Sequence, residues 1–311
     1  MGVWGSGLYS GDFAADLRST IGAVTRLPHE SERLVDILCE TEPNAANNPD
    51  DPDHTIFWLV AADQFAKRGI ASDRVREKAL AIIDSDSDIA LHAKLGMSAS
   101  DLNKRKKTLE DLRTRITAPL PSKPRPVLKK PQPLLMNVGE VLVYPTFGGR
   151  CRNPYFASPE MDRMGTAAAS WRADSWSAMV VVDCGRAFDF LAWYRPITIS
   201  AAVEQKPAIE MLLGEVLWKL VRPGTCSAAH FKRMGFEKIG KIDIDRQKLE
   251  RTFPGMKPGI AQAVQDISIA NQISVGPRVQ DALTPRPVEP LIMTWGRTYP
   301  AILGIGQILS T

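Results

Sequence analysis

The chain of 311 residues has no apolar run approaching the ~20 residues that a helix needs to cross a bilayer, and Ile56 to Ala62 is typical of its longest. It holds only four cysteines, Cys39, Cys151, Cys184 and Cys226, with no close pair among them. That scatter argues against a disulfide framework and for reduced thiols. The first residues lack the basic head and apolar centre of a secretory signal, and they place Asp12 and Asp16 where such a signal is greasy. No membrane association and a cytoplasmic location are therefore expected. Nowhere do cysteines or histidines pair at a spacing of about two residues, as structural zinc sites usually require.

What is present reads as an ordinary globular protein. Hydrophobic residues make up 44% and charged residues 24%, which excludes wholesale disorder, and the length allows two domains with separate cores. The net charge of +4 is unevenly spread. Residues 1–118 carry 15 basic and 19 acidic side chains, 119–136 carry four basic and no acidic, and 137–311 carry 20 basic and 16 acidic. Neither half reaches the charge of a dedicated DNA-binding domain.

The chain opens on Trp4-Gly5-Ser6-Gly7-Leu8-Tyr9-Ser10-Gly11, an extended glycine-rich lead that carries no nucleophile and no phosphate loop. Its first six residues formally fit a myristoylation pattern, but the glycines have their own reason in an extended, closely packed lead. Helices follow. Asp12 starts one whose Phe13, Leu17, Ile21 and Val24 share a face, and another from about Ser31 buries Leu34, Val35 and Leu38. A loop of turn formers spans Asn44 to Asp53. Thr55 to Arg68 is apolar nearly all round and reads as the central buried helix, stopped by Gly69. Further helices start at Ser72 and Ser100, the last with Leu102, Leu109, Leu112 and Ile116 as its stripe.

Six prolines between Pro119 and Pro133, interleaved with Lys123, Arg125, Lys129 and Lys130, read as a semi-rigid spacer. Beyond it the period changes to that of strands. Val138 to Tyr144, Ser177 to Asp183, Ala187 to Tyr194, Leu217 to Val221 and Phe236 to Ile244 are strand candidates, with Cys184-Gly185-Arg186 as a tight hairpin and one helix near 206–213. The expected architecture is α+β: a helical domain over 1–118, a Pro/Lys-rich linker over 119–136, and a β-rich domain with insertions over 137–311. That second domain is a small twisted sheet or an SH3-like, partly open barrel, with an irregular tail after Pro254.

The motif Trp4-Gly5-x-Gly7 followed by Asp12-x-x-Ala15-Asp16 resembles the opening of the bacterial domain of unknown function 4259 family. The likeness runs in outline to about Ile116 and includes Ala79 to Asp84, although Leu8 and Leu17 stand where proline and Trp are common. That family has no assigned activity. The stretch Val138 to Pro145, the Gly148-Gly149-Arg150 turn, Met179 to Asp183 and Phe236 to Gly240 resemble the immunity protein 26 family of bacterial polymorphic toxin systems. Here Cys151 to Tyr155 and a long insertion replace the strand that usually follows the turn. The resemblance implies a protein that binds and blocks a cognate toxin, with a protein partner and no chemistry.

Four groups of residues invite chemistry. Cys226 and His230 could be zinc ligands with Cys151 and Cys184, or a nucleophile and its base; buried or idle thiols are the plainer reading. Asp50, Asp51, Asp53 and His54 could hold a cation, but they precede a helix whose N-terminus acidic groups stabilise. Lys104-Arg105-Lys106-Lys107 could touch phosphates, against pairing of Lys106 with Glu110 and Lys107 with Asp111 on a solvated face. Trp171, Trp176, Trp193 and Tyr194 suggest a binding face. Alternation sends Trp193 and Tyr194 to opposite sides of a strand, one to the core and one outward. The expected protein-binding patch joins Arg150, Arg152 and Tyr155 to Trp193, Tyr194 and Arg195.

These observations favour a non-enzymatic cytoplasmic binding protein of the immunity or antitoxin kind, with no cofactor and no metal. A nucleic-acid-associated factor using the basic helix and linker is the alternative. An enzyme built on Cys226 and His230 comes last.

Overall fold

Apolar residues recurring every three to four positions, then every second position, divide the protein into a helical part and a sheet part, an α+β architecture. The computed structural model describes residues 5–147, 150–151, 173, 175–214, 216–220, 223–252, 268–272, 291–293, 297–299 and 303–310. The chain separates into two units, Met1–Lys130 and Pro131–Thr311.

In the first unit the helices are α1 (Asp12–Val24), α2 (Ser31–Thr41), α3 (Pro43–Asn47), α4 (His54–Lys67), α5 (Asp73–Asp84), α6 (Ser87–Lys94) and α7 (Ala99–Thr117). Helix α1 buries Ala14, Leu17, Ile21 and Val24 on one face, with Ala14 in place of the expected Phe13, which is half-buried. Ser72 caps α5 by accepting from the Val75 amide, and Ser98, two residues before the expected start, caps α7 through the Asp101 amide. The centre is α4, whose Phe57, Trp58, Leu59, Val60, Ala61, Ala62 and Phe65 are all buried. Helices α1, α3, α5 and α7 pack against it. Gly69 ends it at φ +66°, and a Cβ there would sit 3.0 Å from the Pro121 carbonyl oxygen, so the proline-rich stretch runs close over this helix end. Arg125 donates to the carbonyls of Thr25, Leu27 and His29, and the Leu128 amide donates to Arg26, so this stretch satisfies carbonyls at and beyond the end of α1.

Among the four basic residues 104–107, Arg105 turns inward. It is 1% exposed, and its Nε and Nη2 hold the two oxygens of fully buried Asp88 at 2.9 and 3.0 Å. Thr55 donates to the same carboxylate at 3.1 Å, and Arg105 Nη1 donates to the Gly7 carbonyl at 2.8 Å. The pairing expected along α7 is replaced by pairing across helices. Lys106 reaches Asp86 at 3.3 Å and Arg113 reaches Asp84, while Lys104 pairs with Asp101 one turn away. Carboxylates at the end of α5 and start of α6 lie beside α7, which is information that spacing along one helix does not contain.

The second unit is an open, mainly antiparallel sheet with short helices. Its strands are β1 (Glu140–Phe147), β2 (Arg150–Cys151), β3 (Ser175–Ala187), β4 (Leu191–Ile199), β5 (Leu217–Leu220), β6 (Gly224–Thr225), β7 (Glu237–Lys241), β8 (Ser268–Gln272), β9 (Leu291–Met293), β10 (Arg297–Tyr299) and β11 (Leu303–Gly304). The order is β11-β5-β4-β3-β1-β2, with β7 on β1 and β6 joining β4 to β8; β9 and β10 pair separately. Helices α8 (Ile209–Leu213), α9 (Ala228–Met234) and α10 (Arg246–Thr252) accompany it. Alternate residues feed two cores. Val141, Val143, Ala178, Val180, Ile197 and Trp218 build one; Leu142, Tyr144, Met179, Val181, Tyr194 and Phe236 build the other. Tyr144 Oη donates to Ser177 Oγ at 3.0 Å in the second, so the buried hydroxyls satisfy one another.

The hairpin lies elsewhere than expected. β3 runs straight through Cys184-Gly185-Arg186, and the turn is Phe188-Asp189-Phe190, with φ +50° and +62° at Phe188 and Asp189. Positive φ at two successive residues matches the right-handed twist of the strands. Gly185 instead faces Trp193 across the ladder, where a Cβ would meet indole atoms at 3.2 Å.

Two outcomes follow from this packing. Arg105→Ala leaves a buried carboxylate unpaired and is expected to cost about 3–5 kcal/mol in urea denaturation, while Arg105→Met with Asp88→Leu recovers most of it. Gly139 sits at φ +84°, with its Cβ position 2.2 Å from the Ile242 carbonyl oxygen. Gly139→Ala is therefore expected to lose more than about 2 kcal/mol in the same assay.

Candidate functional site

The residues expected to form a protein-binding patch are placed as follows. Trp193, Tyr194 and Arg195 lie on β4, and all three are buried, at 1%, 0% and 4% exposure. Their side chains do alternate across the strand, but β4 is buried along its whole length, so neither aromatic faces outward. The expectation of one exposed aromatic is thus corrected: Tyr194 enters the second core, and the Trp193 ring lies against Gly185 across the ladder. Arg195 lies across the ladder from Asp183, with Nη1 3.7 Å from Oδ2, and its guanidinium is 5.9 Å from the Trp193 ring centre. Tyr194 Oη accepts from the Leu135 amide at 2.8 Å, and burial pushes its phenol up to about 12. Arg150 is described only as backbone in β2, and Arg152, Tyr155 and Trp171 lie outside the described residues.

Cys226 and His230 stand at the start of α9, which Ser227 caps by accepting from the His230 amide at 3.1 Å. Both are buried. The Cys226 thiol donates to the Ser227 carbonyl at 3.7 Å, and burial pushes it up to about 12. A nucleophilic cysteine needs the opposite, a thiolate stabilised by a nearby cation or helix N-terminus. Cys184 on β3 is likewise raised, by burial and then by Asp183. The Cys151 side chain lies outside the described residues, and among those described no three His, Cys, Asp or Glu groups converge to hold a metal ion.

The acidic loop organises its own backbone. Asp51 Oδ1 accepts from the Asp53 amide at 2.8 Å, and Asn48 does the same for Asp50 at 3.1 Å. Asp53 occupies the cap position of α4 without a side-chain cap bond, and no acidic residue lies in its first turn, so the expected capping is replaced by an Asx turn that Asp51 makes with the Asp53 amide inside the loop. His54 Nδ1 lies 2.8 Å from the Ala45 carbonyl.

Two surface features emerge that residue-type patterns had not flagged. On the sheet unit, Met211, Leu213 and Leu217 are 47%, 41% and 49% exposed within seven residues, while Leu212 between them is buried. On the helical unit, cationic side chains gather around Tyr9 and Asp63. Asp63 is 1% exposed on α4; its carboxylate takes Lys67 Nζ at 2.7 Å, Arg115 Nη1 and the Tyr9 hydroxyl. Burial and the Asp63 carboxylate raise the Tyr9 phenol well above its ordinary value, while hydrogen bonds from Lys67 and Tyr9 leave Asp63 below the usual carboxylate range despite its burial. One sign was present in the sequence: Asp63 and Gln64 interrupt an otherwise apolar helix.

The fold and these features define an α+β protein whose described polar clusters are bonded internally. No protein-family model, no curated protein and no solved structure matches the chain.

The raised thiol has two measurable consequences. Alkylation of Cys226 by iodoacetamide near pH 8 is expected to be far slower in the folded chain than in urea, as read by peptide mass spectrometry; equal rates would contradict a buried, protonated thiol. Because its folded value of about 12 exceeds the unfolded ~8.5, the group favours the native state fully below pH ~8.5 and loses that contribution as pH rises towards 12. Cys226→Ala is expected to reduce this alkaline loss of stability.

Proposed function

We propose that the protein acts by binding another protein, as an immunity- or antitoxin-like module that blocks a cognate toxin, and that it performs no chemistry of its own. The observation that carries this reading is the exposed apolar set Met211, Leu213 and Leu217 at the α8–β5 corner. Three large apolar side chains exposed within seven residues of one another match the centre of a partner interface. The resemblance of the sheet unit to the immunity protein 26 family points the same way. The burial of Cys226 and its protonated thiol suit packing better than catalysis.

This relocates the partner face from β4 to the α8–β5 corner. The reading is tested by capturing the full chain from its native host at moderate salt. A single protein at near one-to-one stoichiometry is expected, toxic when expressed alone and neutralised by co-expression. Leu217→Asp with Met211→Asp is expected to abolish that capture and neutralisation while leaving the thermal melt unchanged. Recovery of nucleic acid that dissociates steeply with added salt would instead indicate phosphate contacts. Undiminished neutralisation by the double variant would remove this corner from the interface.

A further inference from the structure

We propose that the cationic cluster around Tyr9 in the helical unit, with Arg18 and Arg68 as its two forks, binds a phosphate-class dianion. The argument starts from how the local charge is distributed. Asp63 is already matched, since Lys67 and Arg115 each hold one of its oxygens. Arg18 and Arg68 form no ion pair with a carboxylate among the described residues. Four cations around one carboxylate leave an excess of three positive charges, two of them on Arg18 and Arg68, and a dianion offsets those two.

Both groups gather around Tyr9 and one face of α1. Arg68 Nη1 donates to the Gln64 backbone carbonyl at 3.2 Å and to its side-chain oxygen, while Gln64 Nε2 donates to Tyr9 Oη. These bonds anchor one edge of the guanidinium through neutral groups. Its Nη2 lies against α1 at Gly22, 3.6 Å from where a Cβ would stand. Gly22 is one turn beyond Arg18 on the same face of α1. Arg18 is exposed, and its guanidinium sits 5.0 Å from the centre of the Tyr9 ring, with Lys67 Nζ 5.6 Å from that centre. Burial, and then the neighbouring Arg18, hold the Arg68 guanidinium below its ordinary value. Like charges held this close, one half-buried, cost free energy that an anion between them would return. Guanidinium forks match tetrahedral oxyanions by paired hydrogen bonds, which favours phosphate over a spherical halide.

The test is calorimetric titration of the full-length protein with inorganic phosphate at pH 7.5 and constant ionic strength, with chloride as the control ion. Phosphate is expected to bind and chloride not. Arg18→Gln, a substitution at an exposed side chain, is expected to weaken phosphate at least about tenfold. Lys107→Gln, exposed on α7, is expected to change nothing. Affinity should fall as pH drops and the ligand becomes a monoanion, through ~6 for the phosphomonoester and at a higher pH for inorganic phosphate. A nucleoside monophosphate run in parallel separates the sources: equal affinity assigns the site to the bare anion, tighter binding to a phosphomonoester. If Arg18→Gln disturbs the thermal melt, Arg18→Lys, which keeps the charge and loses the fork, should give intermediate affinity. Phosphate binding no stronger than chloride, or unchanged in the folded Arg18 variants, would overturn the proposal.

Discussion

A helix surrounded by protein on every side can carry a carboxylate only if counter-charges are brought to it, and Asp63 on α4 imposes that demand on the helical unit. Lys67 answers from the same helix and Arg115 from α7. Tyr9 answers from the glycine-rich lead and is thereby held against the helix end, with Gln64 and Arg68 completing the chain of hydrogen bonds. Asp88 on α6 repeats the arrangement with Arg105 and Thr55, and Arg105 donates in turn to the Gly7 carbonyl. The lead is therefore fixed at Gly7 and Tyr9 by two buried acids, and its shape follows from polar satisfaction more than from its own apolar content.

The sheet unit obeys a different constraint. Its central strands feed two cores, so the alternation that usually separates inside from outside separates one interior from another. Aromatic residues there are consumed by packing, and Gly185 exists to admit the Trp193 ring. Among the described residues of this unit, large apolar side chains reach solvent at the periphery, as Met211, Leu213 and Leu217 do. The burial of Arg195 beside Asp183 belongs to the same economy: a cation placed within a covered sheet is accompanied by a carboxylate.

Much of the α+β architecture was legible because it is local. The stripe Leu17, Ile21, Val24, the cap at Ser72 and the stop at Gly69 each lie within a few residues of the element they define. Helix α6 escaped notice because its eight mixed residues follow Asp86 in a left-handed conformation, φ +52°, that no periodicity announces. The β3–β4 turn escaped because Ala187-Phe188-Asp189-Phe190 lacks the Gly or Asn that positive φ normally attracts, while Gly185 nearby offered a false signature. The cationic cluster was invisible for another reason. Arg18 and Arg68 are fifty residues apart, and only the packing of α1 against α4 makes them neighbours.

The bond from Arg105 to the Gly7 carbonyl also orders events in time. It spans 98 residues, so the Gly7 end of the lead cannot be fastened until α7 has emerged and folded onto its neighbours. The lead is therefore docked in two stages: Tyr9 can meet Asp63 and Gln64 once α4 is made, while the Gly7 carbonyl waits for the arginine of α7.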